Sequence, residues 1–378
     1  MKPKLLTFYF PQFHSIPEND EWWGEGFTDW DLVKKSKPLF ANHHQPRIPL
    51  NGYYNPCEYE TLKNQASLAN KYGISGFVFY HYWFDGKLYL EKPLENYLRN
   101  KDINLPFCLT WANETWTRSW VGKPEIFLQK QTHKPDKALW EKHFDYLYNY
   151  FLDKRYITKE GKPILLIYQP SLLVESSKML KYWNDLSLKK GLNGIYFIGI
   201  KNHSHNKYSD YSMFDAILKF QPREAYNSKG YTDNNATKIQ WLRSLPEYIQ
   251  SLLRKINYKY NSYKTVNSER IWEIILENAY KCNFINDKEI FESFFFDWDN
   301  TPRYGNKATI YRIPSENTLI NNLTKLYNSA QANASEFIFF NAWNEWSEGA
   351  YLEPDSNNGF KYLEILNKVF KGVNQQYI

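Results

Sequence analysis

No apolar run in this sequence approaches the ~18 residues that a membrane-spanning helix needs, so no segment is expected to cross a bilayer. Cysteine is scarce, with three residues (Cys57, Cys108 and Cys282) in 378. An odd, widely spaced set makes a poor disulfide framework and favours a reducing, cytoplasmic setting. The apolar run after Met1-Lys2-Pro3-Lys4 is too short for a signal-peptide core, and no small-residue cleavage site follows it. Charge of one sign is also lacking. Forty-seven basic against 41 acidic residues leave +6, with no Lys/Arg block, which removes the electrostatic case for a nucleic-acid partner. No glycine-rich loop follows a strand pattern, so no phosphate cradle of the nucleotide-binding kind is expected. Aromatic residues are what the chain has in excess: 14 Trp, 31 Tyr and 25 Phe. A chain with that much to bury forms a core, and disorder is excluded.

Eight short apolar runs punctuate the sequence, at residues 5–10, 76–80, 107–111, 164–168, 195–200, 216–220, 293–296 and 337–340. They are near-continuous rather than alternating, the pattern of parallel strands buried on both faces. Helical periodicity falls between most of them, at 60–72, 137–151, 172–190, 239–253, 270–280 and 362–370. Eight strands alternating with helices predict a single-domain α/β fold, a (β/α)8 barrel over residues 1–378. Two connections exceed ordinary length: a first βα loop over 11–59, rich in Trp, Pro and His, and an insertion at about 223–292 with a polar stretch at 227–238. Loops of that length commonly serve as lids or substrate walls.

Barrels of this class work at the carboxyl ends of their strands. The residues ending or following the runs include Tyr9, Gln12 and His14 on the first, Tyr80, His81 and Trp83 on the second, and Trp111, Asn113, Glu114 and Trp116 on the third. The seventh gives Asp299 and Asn300, and the eighth gives Trp343, Glu345 and Glu348. Aromatic faces stack on the C–H surfaces of sugars, while amides, imidazoles and carboxylates hydrogen-bond hydroxyls. The two classes together predict an oligosaccharide or polysaccharide site on one rim. Glu345 and Glu348, three residues apart, are the expected catalytic pair, because glycosidic cleavage uses one carboxyl to protonate the leaving oxygen and a second to act on the sugar. Trp343 and Trp346 beside them are expected to wall the site. Glu114 and Asp299 are expected to orient substrate, or the residues that touch it, without taking part in proton transfer.

Other readings have less to stand on. His43-His44 and His203-x-His205 lack a partner at metal-binding spacing. Asp-x-Asp, a short metal and nucleotide-sugar pattern, occurs at Asp29-Trp30-Asp31 and Asp297-Trp298-Asp299. A non-catalytic carbohydrate-binding protein would share the aromatic rim without needing two carboxylates.

Residues 8–14 (FYFPQFH), 21–30 (EWWGEGFTDW), 76–83 (GFVFYHYW), 111–116 (WANETW), 298–302 (WDNTP) and 344–349 (NEWSEG) together resemble the WbsX-like proteins. These occur in bacterial O-antigen and capsule gene clusters and share a domain with glycoside hydrolase family 99. The resemblance covers nearly the whole chain, apart from about 227–287. It implies a (β/α)8 barrel and a retaining mechanism at α-mannosidic linkages, with no metal and no cofactor. In that mechanism the first glutamate of N-E-W-x-E-G deprotonates the sugar 2-hydroxyl. The hydroxyl attacks its own anomeric carbon and gives a 1,2-anhydro sugar. The second glutamate protonates the leaving group. By motif the first role falls to Glu345 and the second to Glu348. The resemblance also carries an alternative, a glycosyltransferase of O-antigen or lipopolysaccharide biosynthesis.

Overall fold

The computed structural model describes residues 2–118, 123–202, 211–228, 262–281 and 287–372, with isolated positions 231, 245, 246, 249, 284 and 285. Eight strands form its centre: β1 (Lys4–Tyr9), β2 (Ile74–Phe84), β3 (Phe107–Trp111), β4 (Lys162–Ile167), β5 (Tyr196–Lys201), β6 (Ala216–Lys219), β7 (Lys288–Phe294) and β8 (Phe337–Phe340). Each pairs in parallel with the next, as in Phe77 opposite Phe107 and Ile164 opposite Tyr196. β8 returns to β1, with Leu5 opposite Ile338, so the sheet closes on itself as an eight-stranded parallel barrel. The expected (β/α)8 architecture is the one present.

Closure buries both faces of every strand. Leu5, Phe77, Leu109, Leu165, Ile198, Leu218, Phe294 and Ile338 are all fully or almost fully buried. Helices cover the outside, among them α3 (Tyr59–Lys71), α5 (Lys137–Phe151) and α6 (Ser176–Lys189). α5 starts where the Asp136 carboxylate accepts the free amides of Ala138 and Leu139. Short helices α1 (Pro17–Trp23) and α2 (Asp29–Lys35) lie inside the long first loop. α4 (Lys92–Arg99) follows β2, α7 (Arg223–Tyr226) follows β6, and α8 (Ser268–Lys281) precedes β7. α9 (Thr301–Tyr304), α10 (Glu316–Ala332) and α11 (Lys361–Phe370) complete the set.

Some boundaries differ from the sequence expectation. β2 runs on to Phe84 because Tyr82–Phe84 pair with an added antiparallel strand, Lys87–Tyr89. β7 begins at Lys288 and stops at Phe294, before the rest of the Phe run. α4 and α10 carry no sequence prediction. α10 buries Leu319, Leu323, Leu326 and Ala330 at helical spacing, but the asparagines between them dilute the periodicity. The helix expected at 239–253 lies outside the described residues, as does much of the 223–292 insertion. Among the described residues no helix is long and apolar enough to cross a membrane.

Candidate active site

The carboxyl ends of the strands surround a cleft of about 260 Å³. Its walls divide by strand. The loops after β1 and β3 contribute Trp22, Trp23 and Trp116, the end of β2 contributes Tyr82, and the loops after β6 to β8 contribute Arg223, Trp298, Arg303, Glu345 and Glu348. The mixture of aromatic surface and a few convergent polar groups is that of a small-molecule site.

Arg303 organises the charged wall. Its Nη1 donates to Glu348 Oε1 at 2.6 Å. Its Nη2 lies 3.2 Å from Glu345 Oε1, 3.1 Å from Asp29 Oδ2 and 3.3 Å from Gln12 Oε1. Asp29 also accepts the Ser347 hydroxyl at 3.0 Å, which ties the first-loop helix to the Glu345–Glu348 turn. One guanidinium thus serves three buried carboxylates and cannot compensate all of them. Burial raises the Glu345 carboxyl to about 8, with Arg303 opposing the shift and Glu348 and Asp29 adding to it. Burial likewise raises Asp29 above its ordinary value against the pull of Arg303. Once ionised, a carboxylate of raised proton affinity is a stronger base than an ordinary one.

The turn carrying both glutamates is fixed from behind. The Asn344 side chain accepts Phe10 N–H at 2.8 Å and donates to Phe10 O at 2.9 Å, locking the β8 loop onto the β1 loop. Glu353, buried, accepts the Trp343 and Trp346 indoles at 3.1 and 2.7 Å and the Tyr54 hydroxyl at 2.6 Å. Gly349 follows Glu348 at φ +65°, and a Cβ there would stand 2.8 Å from the Asp299 amide nitrogen. That amide donates to Glu348 O at 2.7 Å, so only glycine fits.

Of the residues expected at the site, Gln12, Tyr80, Glu114, Trp116, Glu345 and Glu348 line the cleft. Gln12 donates to the Tyr82 hydroxyl at 2.7 Å, and Glu114 accepts Gln169 at 2.7 Å. The others line no part of it. Side chains alternate along a strand, so Phe10, Tyr80 and Tyr82 face the cleft while their neighbours face the helices. Tyr9 points to α3, where its hydroxyl donates to Gln65 at 2.7 Å. His81 meets His143 of α5 at 2.8 Å, and burial lowers its pKa to about 3. Trp83 stacks on His143 at 4.6 Å, and Trp111 donates to Trp83 O. His14 caps its own turn through Pro11 O, and burial lowers it to about 4. Asn113 exchanges two hydrogen bonds with the Gln169 backbone, and Asn300 accepts Thr309 N–H.

Trp343 and Trp346 wall nothing: both are fully buried behind the turn, held by Glu353. The Asp299 side chain lies behind the cleft and not in its lining. It is fully buried and bonded to His43 (2.8 Å), Gln45 (2.7 Å), Arg47 (3.4 Å) and Thr301 (2.5 Å). Neither Asp-x-Asp copy presents two carboxylates to the cleft. Asp297 is bound to Arg47, and Asp31 turns back to accept Thr28 N–H. His43 bonds to Asp299, and His203 and His205 lie outside the described residues. Among the described residues no His, Cys, Asp and Glu group has the arrangement of a metal site.

Arg223 follows the sixth apolar run and so was within reach of the strand-end reading, but Arg303 and Asp29 were missed as site residues. Arg303 is the next residue after the WDNTP segment, so a cation required between two glutamates had a signal one position away. Asp29 sat inside another quoted segment and was passed over in favour of Asp299.

Comparison with known proteins bears on the fold and the family. Residues 5–366 match the family model "Glycosyltransferase WbsX". The uncharacterized protein WxcX of Xanthomonas campestris pv. campestris is 33% identical over 364 residues, which are 95% of this chain and 48% of WxcX. The chain therefore spans about half the length of the curated relatives it matches. A solved structure described as a glycoside hydrolase-like protein aligns with a TM-score of 0.60 at 14% identity, over 98% of this chain and 94% of that one. The GH99 endo-alpha-mannosidase from Bacteroides thetaiotaomicron aligns with a TM-score of 0.54 at 13% identity, over 98% and 96%. At such identities the structural likeness is one of fold. The sequence match spans nearly the whole chain, and the protein belongs to the WbsX family.

Proposed function

We propose that the protein is a carbohydrate-active enzyme that cleaves or transfers at an α-mannoside-like linkage of a bacterial surface polysaccharide, with retention. The observation that carries this reading is the Glu345–Arg303–Glu348 bridge set in an aromatic-walled cleft at the carboxyl end of the barrel. Glu345 takes the proton of the sugar 2-hydroxyl. O2 attacks C1 as the C1–oxygen bond to the leaving group breaks, and Glu348 gives its proton to the departing oxygen. A water, or an acceptor hydroxyl, then opens the 1,2-anhydro ring at C1. Glu348 takes that nucleophile's proton and Glu345 returns one to O2, so both carboxyls end as they began. The raised proton affinity of Glu345 supports the base role, because a hydroxyl gives up its proton only to a strong base. Trp22, Trp116 and Tyr82 supply faces on which sugar rings stack. The three scattered cysteines support a cytoplasmic setting for this chemistry.

A second reading, a glycosyltransferase that uses an activated sugar donor, is favoured by the description of the matching family. The deciding experiment offers defined α-mannosides and surface-polysaccharide fragments with and without nucleotide sugars. Cleavage or transfer without nucleotide supports the first reading. Turnover only with a nucleotide sugar moves the assignment to the second, and tight binding without turnover makes the protein a carbohydrate binder.

A further inference from the structure

The two arginines of the cleft are not used alike. Arg303 is committed to Asp29, Glu345 and Glu348. Arg223, at the start of α7, has its guanidinium 6.0 Å from the Trp298 ring and 4.0 Å from Glu348 Oε1, the outer limit of an ion pair. That oxygen already takes Arg303 at 2.6 Å. Glu114 also acts on Arg223 electrostatically, but its Oε1 is taken by Gln169. Among the described residues nothing accepts a hydrogen bond from the Arg223 guanidinium, and 37% of its side chain is exposed. A planar fork of donors, backed by an aromatic ring and open to a cleft, matches a carboxylate or phosphate held by two parallel hydrogen bonds.

We infer that Arg223 makes the leaving-group side of the cleft a site for an oxyanion carried by the substrate, either a sugar carboxylate or a sugar phosphate. The inference rests on the functional reading above, which gives Glu348 the leaving-group oxygen. Arg223 stands beside Glu348, so what it touches is the departing residue and not the sugar that reacts. The acid role requires Glu348 to be neutral, and in that state Arg223 loses its nearest counter-charge. An anion on the leaving residue restores it. Trp22, Tyr82 and Trp116 line the cleft from the β1 to β3 side, and Arg223 lines it from the β6 side.

The test uses two matched ligand pairs and calorimetric titration of the whole protein. One pair is an α-mannosyl-glucose and an α-mannosyl-glucuronate disaccharide. The other is methyl α-mannoside and α-mannose 1-phosphate. The expected result is roughly 10-fold tighter binding of the anionic member of at least one pair, the scale of a charge-assisted hydrogen bond at a partly exposed site. A preference in the first pair assigns a carboxylate, and one in the second assigns a phosphate. Arg223→Gln should erase the preference by weakening the anionic member far more than the neutral one, and Arg223→Lys should keep part of it. Raising salt from about 50 to about 500 mM should shrink the wild-type preference, a readout independent of any variant. Equal binding of both members in both pairs, or an equal loss for both in Arg223→Gln, would overturn the inference alone. No binding of any of the four would overturn it together with the functional reading.

Discussion

Two arginine–carboxylate clusters flank the Glu348–Gly349 turn, and they have opposite characters. Behind the turn, Arg47 binds Asp297 at 2.5 Å and Gly349 O at 3.2 Å, and Asp299 gathers His43, Gln45 and Thr301 as well. Burial alone would raise the Asp299 carboxyl, but the His43 hydrogen bond, the Arg47 charge and the Thr301 and Gln45 hydrogen bonds outweigh it and hold it well below the usual range. In front, one guanidinium faces three carboxylates, and Glu345 is pushed up to about 8. A carboxylate with every lone pair bonded is inert and fastens loops together. One left short of donors in a buried site holds a proton it can exchange. The same residue types thus give a fully bonded carboxylate on one side of a turn and one of raised proton affinity on the other.

The sharpest way to break this contrast is to neutralise the front cluster. Glu345→Gln should lower turnover by roughly 10²–10⁴-fold on every substrate. Glu348→Gln should lower it as much on natural leaving groups but spare substrates whose leaving groups need no proton. Steady-state rates on a paired set of good and poor leaving groups check both. If Glu348→Gln were equally damaging on both leaving groups, the acid assignment would be wrong.

The back cluster should respond in stability and not in rate. Asp299→Ala leaves His43 and Gln45 without their acceptor and Arg47 with Asp297 alone, at a cost of about 3 kcal/mol, typical of breaking a buried pair. Denaturant unfolding measures it, and turnover per folded molecule should change little. Gly349→Ala lies between the clusters. The left-handed backbone and the contact with the Asp299 amide should cost roughly 1–3 kcal/mol and displace the Glu348 carbonyl, so stability and rate fall together. An unchanged unfolding curve for Asp299→Ala would remove the basis for calling that cluster a fastener.

The smallest effect is in pH dependence, and its sign differs between the two readouts. Glu345 must be ionised to act as a base, so kcat/KM should rise with pH through about 8. Stability runs the other way. A folded-state value raised above the unfolded ~4.3 makes a contribution that is fully present below ~4.3 and lost as pH rises through about 8. Glu345→Gln should flatten that part of the stability profile. A wild-type rate that falls over the same window would reverse the assignment of base and acid.

The barrel was legible because most of its strands carry a short continuous apolar run, as a strand buried on both faces by closure does. The glutamate pair was legible because a short motif follows the last run. What the sequence did not show is which way each residue of a strand end points. Tyr9 and Phe10, or His81 and Tyr82, look alike as aromatic rim candidates, yet the pleat sends one to the helices and the other to the cleft. The exchange of Asp299 for Asp29 has the same origin. Both sit in aromatic-flanked segments, and only the folded first loop shows that His43, Gln45 and Arg47 close over one while Arg303 opens the other to the cleft. Long loops that fold back across a barrel place residues by tertiary contact, which no local pattern records.

The central claim is that Glu345 acts through the sugar's own 2-hydroxyl. The most direct measurement compares an α-mannoside substrate with its 2-deoxy counterpart carrying the same leaving group. The account predicts turnover of the first with retained anomeric configuration and no measurable turnover of the second. Turnover of the 2-deoxy compound at a normal rate would contradict it, and would make Glu345 a direct nucleophile or a base acting on water.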